Sequence, residues 1–281
     1  MESTIMNFET QVVNLFDCNF SHVKSSIGFD SSCFTEPEHG KWVRDHMHWD
    51  GFTVFTDEYC FSNIVDQVKS PHKIAWLMES PGVKPWVYQN FHHIQSKFDK
   101  VFTFLNLDVA QSIGIQKEKY VHCPLGGAWV KPVGSNNVKT KLCSLIASEK
   151  NDLPGHKLRH QIANAYQNID LYGRAYKSVS NKSEALNDYA FTICIENVMT
   201  PGYFTEKLID CFLTKTVPVY YGDPDIGKFF DTNGILNIEN IDCLTFEKYS
   251  TLIESINTNF DIALTLKSSD DNVFKEILRM K

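Results

Sequence analysis

Short apolar runs alternate with polar, helix-spaced stretches along most of this chain, a pattern that predicts α/β layers rather than a sandwich or a bundle. In the first half GFTVFTD (51–57), HKIAWLME (72–79), FDKVFTFL (98–105) and KYVHCPL (119–125) read as strands, with polar helical stretches between them. In the second half the strands are KLCSLIAS (141–148), IDLYGRA (169–175), YAFTICIEN (189–197) and TVPVYYG (216–222). HKLRHQIANAYQN (156–168) reads as an amphipathic helix, and TEKLIDCFLTK (205–215) as a helix with Leu208, Ile209, Phe212 and Leu213 on its apolar face. Between the halves, VKPVGSNNVKT (130–140) clusters Pro, Gly, Ser and Asn, the composition of a linker. Two α/β domains are expected, residues 1–135 and 136–281, without internal repeats or low-complexity tracts.

Composition narrows the function classes. The 281 residues are 43% hydrophobic and 13% aromatic, enough for one large core or two modest ones. Thirty-four acids against 27 Lys and Arg give a net charge of -7, which argues against broad nucleic-acid binding; an anionic ligand has to meet a local cluster of cations. No run of about 18 apolar residues occurs, and the acids in MESTIMNFET disfavour a signal peptide. The expectation is a chain without a membrane span in the cytoplasm of a microbe or a virus-infected cell, with peripheral membrane contact left open. The eight cysteines are scattered without a CxxC pair, the pattern of free thiols.

Polar residues just beyond an apolar parallel strand are where ligands collect. Glu196 and Asn197 follow TICI in this way. The loop VMTPGYF then leads into a helix whose expected N-cap is Thr205, with Glu206 and Lys207 in its first turn. A helix start offers free N–H groups and a positive dipole end to a phosphate. Lys207 adds a full charge, and Arg174, just past IDLYG, has the fork geometry for a phosphate or carboxylate. Read singly, Glu206 and Lys207 also fit a solvated helix face and Arg174 a surface site. Read together they suggest a pyrophosphate site without naming the ligand.

The ordered blocks Tyr172-Gly173-Arg174, Tyr189 to Asn197, Tyr203 to Leu208 and Val217 to Gly222 resemble the donor-binding region of the α-1,3-fucosyltransferases, glycosyltransferase family 10. The likeness extends from Lys139 to Asn237, and more thinly from Lys73 to Trp129. It implies a GT-B-like fold of two facing Rossmann-like domains and inverting transfer of L-fucose from GDP-fucose to a glycan hydroxyl. The partners implied are a nucleotide sugar and a glycan acceptor, with no cofactor or metal required. By this resemblance Arg174 and Lys207 hold the diphosphate, Tyr203 lines the nucleotide pocket and Glu206 contacts ribose or sugar. Glu196 and Asn197 organise the loop and sugar pocket. Family members often carry Ser after the Glu-Asn pair, where this chain has Val198-Met199-Thr200-Pro201-Gly202.

WLMESPG matches the family's Glu-Ser-Pro motif, which implies that Glu79 is the base that takes the acceptor's proton. Without the resemblance, Glu79 also reads as a capping or loop acid. Gly126 and Gly127 let backbone pass close to a ligand and Trp129 offers a face to stack on a sugar; an interdomain turn with a core Trp fits equally. Residues 1–70 match nothing and are expected to face the acceptor. Two alternatives share this scaffold: transfer from another nucleotide sugar, and a non-catalytic glycan- or nucleotide-binding module. Asp223-Pro224-Asp225 reads as a turn rather than a metal site, His46, His48, His92 and His93 lack zinc spacing, and Ser268 to Asn272 reads as a loop.

Overall fold

The computed structural model describes residues 10–17, 37–266 and 268–281; Cys18 and Cys33 lie outside them. The first sheet has six strands: β1 (Gln11–Phe16), β2 (Gly40–Arg44), β3 (Phe52–Thr56), β4 (His72–Leu77), β5 (Lys100–Thr103) and β6 (Tyr120–His122). Their order is β2-β1-β3-β4-β5-β6, every neighbouring pair parallel. The second sheet has five: β7 (Lys141–Ile146), β8 (Asp170–Tyr172), β9 (Tyr189–Ile195), β10 (Val217–Tyr221) and β11 (Leu236–Asn237), again all parallel in the order β11-β10-β9-β7-β8. The helices are α1 (Ile64–Gln67), α2 (Pro85–Asn90), α3 (Leu107–Ser112), α4 (Pro154–Ala165), α5 (Glu206–Leu213), α6 (Phe246–Thr251), α7 (Ile253–Thr265) and α8 (Ser269–Arg279).

Strands covered on both faces have to be apolar throughout. β3 and β9 show this: all residues of both are buried, so FTVFT and YAFTICI lack the alternation of a half-exposed strand. Each sheet has its own apolar core, one around Trp76, Phe55 and Phe102, the other around Phe191, Phe212 and Leu208. The second core begins at Ala128 and Val130, before the expected boundary. The segment read as a linker is held to the second domain: Val133 N–H donates to the Leu213 carbonyl at 2.9 Å, and Lys139 Nζ donates to the Asn187 and Thr214 carbonyls at 2.8 and 2.6 Å.

The chain end departs from the expected division. Val273, Phe274 and Ile277 of α8 are buried in the first core, not the second. Ser268 caps α8, and the acids expected in a loop form its first turn, where they complement the helix dipole. Asp271 accepts the Glu38 and His39 N–H groups at 2.8 and 2.9 Å, and Asp270 accepts Trp42 Nε1 at 3.0 Å. Gly40 leaves room for this return, since a Cβ there would stand 2.5 Å from the Phe274 ring. α8 thus ties the two domains together, which local composition does not disclose. Among the described residues no helix is long and apolar enough to cross a membrane.

Candidate active site

The site is built where β9 ends. Glu196, fully buried, follows Ile195 and donates its N–H to the Tyr221 carbonyl at 2.8 Å. Its carboxylate accepts the Thr205 N–H at 2.8 Å, the Thr205 hydroxyl at 3.0 Å and Lys207 Nζ at 3.1 Å. Thr205 in turn caps α5, so Glu196 fastens the positive end of that helix to the carboxyl end of the central strand. The start of α4 lies against the same point: Gly155 N–H donates to the Asn197 carbonyl at 2.9 Å, and a Cβ on Gly155 would stand 1.8 Å from the Glu196 carbonyl oxygen. Two helix starts therefore converge here, an arrangement suited to a phosphate group.

A cavity of about 540 Å³ opens in front of them, lined by Trp129, Arg159, Arg174, Lys182, Asn197, Glu206 and Lys207 among others. That size suits a small-molecule site. Burial disfavours the Lys207 charge, but Glu196 and Glu206 outweigh it and raise its pKa. Burial likewise opposes ionisation of Glu206, yet Lys207 and then Lys182 hold its carboxyl down at about 2. Lys182 bridges Glu206 and Asp210 at 3.4 and 2.8 Å and lies over the Trp129 ring, 5.8 Å from its centroid. Glu206 is in this way a fixed acceptor on the cavity wall, flanked by two cations.

A smaller cavity of about 240 Å³ adjoins it, lined by Met78, Glu79, Leu125, Gly126, Trp129, Asn197, Tyr203, Thr205, Glu206 and Lys207. Trp129, Asn197, Glu206 and Lys207 line both spaces. Glu79 lies just past β4, its Oε2 3.3 Å from the Tyr203 hydroxyl. Burial raises its pKa, opposed by Lys207, the Tyr203 hydrogen bond and Lys84. A carboxylate made more basic, facing a cationic wall, has the character of a general base.

The residues singled out in the sequence divide in this geometry. Lys207, Glu206 and Asn197 line both cavities, and Arg174 lines the larger one, exposed at its edge. Glu196 lines neither and acts behind the wall. Tyr203 and Thr205 line the smaller cavity and not the larger one. The reason is that the loop after β9 packs on the first domain: Tyr203 and Val198 belong to the first core, and the Tyr203 ring lies 5.3 Å from that of Phe104. Gly126 reaches the smaller cavity, but a Cβ there would meet the Leu266 carbonyl at 2.2 Å, so its bareness serves packing. Gly127, at φ +96°, donates to that carbonyl and lines neither cavity. Asp223 is buried and accepts the Asp225 N–H at 2.8 Å in a turn.

Arg159, Lys182 and Asp210 were not read from the sequence. Arg159 is buried on α4, with Nη2 3.0 Å from Asn197 Oδ1 and Nε 3.2 Å from the Ile195 carbonyl. In HKLRHQ it looks like one polar residue among several on an amphipathic helix. Only the inward turn of that face, forced by Gly155 against Glu196, marks it.

Residues 136–259 match the family model described as glycosyltransferase family 10 (fucosyltransferase) C-term. An alpha-(1,3)-fucosyltransferase of Helicobacter pylori is 30% identical over 129 residues, which are 44% of this chain and 26% of that protein. A putative fucosyltransferase of Acanthamoeba polyphaga mimivirus is 27% identical over 156 residues, 50% of this chain and 24% of its own length. The chain thus spans about a quarter of the length of these curated relatives. The crystal structure of an alpha1,3-fucosyltransferase with GDP superposes with a TM-score of 0.50 at 18% identity, covering 86% of this chain and 80% of the other. The fold is accordingly GT-B-like, two facing Rossmann-like α/β domains. Over residues 136–259, which carry most of the second sheet, the chain is similar to glycosyltransferase family 10.

Proposed function

We propose that this chain is an inverting glycosyltransferase that transfers L-fucose from GDP-fucose to a hydroxyl of a glycan. The observation that carries the reading is that Lys207 lines both the cation-rich cavity and the cavity that holds Glu79. A diphosphate bound against Lys207, Arg159 and the starts of α4 and α5 brings the anomeric carbon to the common wall. The acceptor oxygen attacks that carbon from the Glu79 side, the bond to the phosphate oxygen breaks, and the acceptor's proton passes to Glu79. Charge on the departing GDP is offset by Lys207, Arg159 and the helix ends, with Arg174 at the entrance. Glu206, ionised between Lys207 and Lys182, accepts hydroxyls of the ribose or the sugar.

Charge supplied in this way by the protein makes the reaction independent of an added metal, so chelation with EDTA should leave its rate unchanged. Thermal shift with GDP, GDP-fucose, GDP-mannose and UDP-sugars tests the donor: a ligand at about a hundredfold over its Kd adds roughly 2.7 kcal/mol. Stabilisation by GDP compounds alone, greatest with GDP-fucose, is the expected result. No response to any GDP compound overturns the reading. Stabilisation by GDP-fucose without acceptor-dependent GDP release identifies a binding module instead.

A further inference from the structure

Beneath Glu79 lies a second carboxyl group that the transfer chemistry above does not use. Asp57, directly after β3, is fully buried. Its Oδ1 accepts the Met78 and Glu79 N–H groups at 3.0 and 3.3 Å, while Oδ2 is buried and finds no hydrogen-bond partner among the described residues. The backbone at Asp57 has φ +35°, a conformation that side chains other than glycine rarely take. A non-glycine held in a strained turn, with a buried and half-satisfied carboxyl, costs stability twice over. Such a cost points to a role at the neighbouring site.

We propose that Asp57 is a positioning residue for Glu79, holding from below the stretch of backbone from which the base projects. The two N–H groups it binds belong to Glu79 and the residue before it. The Tyr88 hydroxyl donates to the Glu79 carbonyl, so the peptide groups on both sides of the Glu79 Cα are held. Neighbouring charge is arranged to match. Facing Asp57 are Glu79 from the β4 exit, Glu58 and Cys60 from its own turn, and Tyr88 from α2, while Lys84 at the start of α2 is paired with Glu58. Burial, then Glu79, pushes the Asp57 carboxyl up to about 8, so at neutral pH it is the uncharged member of the pair. Glu79 can then ionise without a second negative charge beneath it.

The inference rests on Glu79 acting as the base, so Glu79→Gln is measured beside Asp57→Gly and Asp57→Asn in the full chain. Glycine accepts φ +35° and removes the carboxyl; asparagine keeps the Oδ1 acceptor and tolerates the same backbone. Asp57→Gly should lower kcat by about 10- to 100-fold while KM for GDP-fucose and the Kd for GDP change less than about twofold. Asp57→Asn should restore kcat to within about threefold of wild type and leave the acid limb of the kcat/KM profile in place. Wild-type kcat in Asp57→Gly overturns the proposal, as does an Asp57→Asn enzyme no better than the glycine variant. If the glycine variant fails to bind GDP and so has not folded, the asparagine variant decides: a fall of its acid limb by about half a pH unit or more would show that Asp57 acts as a charge. An Asp57→Gly enzyme of normal rate beside a dead Glu79→Gln enzyme removes this inference alone, whereas a fully active Glu79→Gln enzyme removes the base and this inference together.

Discussion

The hydroxyl of Tyr203 and the carboxylate of Glu79, 124 residues apart in the chain, meet at 3.3 Å between the two domains. Tyr203 comes from the loop that follows the central strand of the second sheet, Glu79 from the end of a central strand of the first. Because the hydrogen bond favours the charged form of Glu79, it works against burial, which disfavours it. Replacing Tyr203 by Phe removes the donor, so the Glu79 pKa rises further. A base has to be ionised to act, and the acid limb of kcat/KM for Tyr203→Phe should therefore move to higher pH, with a loss of less than about tenfold on the plateau. A pH-rate profile checks this; a shift to lower pH contradicts the assignment.

Gly155→Ala sets two effects against each other. Alanine favours the helix by about 1 kcal/mol over glycine. Against that, its Cβ would stand 1.8 Å from the Glu196 carbonyl oxygen, and backbone there cannot give way without moving the β9 exit. Overpacking costs about 1–3 kcal/mol, and at so short a distance the upper end applies. Urea denaturation should show a net loss of about 1–2 kcal/mol, accompanied by weaker GDP binding.

Lys182 holds two carboxylates of the cavity wall, and Lys182→Met would leave Asp210 nearly fully buried without its cation. Breaking a buried pair from one side costs about 3–5 kcal/mol; because Lys182 is 24% exposed, a loss nearer 2 kcal/mol is expected. Adding Asp210→Asn should recover part of it. A double-mutant cycle with coupling of at least about 0.5 kcal/mol supports the pair, and strict additivity contradicts it.

Arg159 and Arg174 are both cavity cations, but their settings differ. Arg159 is buried and donates to Ile195 and Asn197, whereas Arg174 is exposed and has no ion pair among the described residues. Arg159→Ala should lower both stability and GDP affinity. Arg174→Ala should leave stability within about 0.5 kcal/mol and weaken GDP binding only. Calorimetric titration with thermal melts separates the two patterns.

The layered α/β organisation was legible because parallel strands leave short apolar runs, and YAFTICI and FTVFT came through within a residue or two of their observed ends. Lys207, Glu206 and Asn197 were legible because a strand end and a capped helix start have local signatures. What lay outside local pattern was long-range. Nothing near Asp270 and Asp271 announces that α8 returns to the first sheet, and nothing near Arg159 announces its burial. The family resemblance implied a place for Tyr203 at the nucleotide pocket; its packing on Phe104 and its contact with Glu79 depend on the other domain and have no local signature.

Acceptor-dependent release of GDP from GDP-fucose, followed for wild type and Glu79→Gln over a panel of acceptor sugars, tests the central claim most directly. The account predicts turnover by wild type, a loss of about 10²- to 10⁴-fold in kcat for Glu79→Gln, and nearly unchanged GDP binding. Wild-type turnover by Glu79→Gln, or absence of both turnover and GDP binding in the unaltered chain, would contradict it.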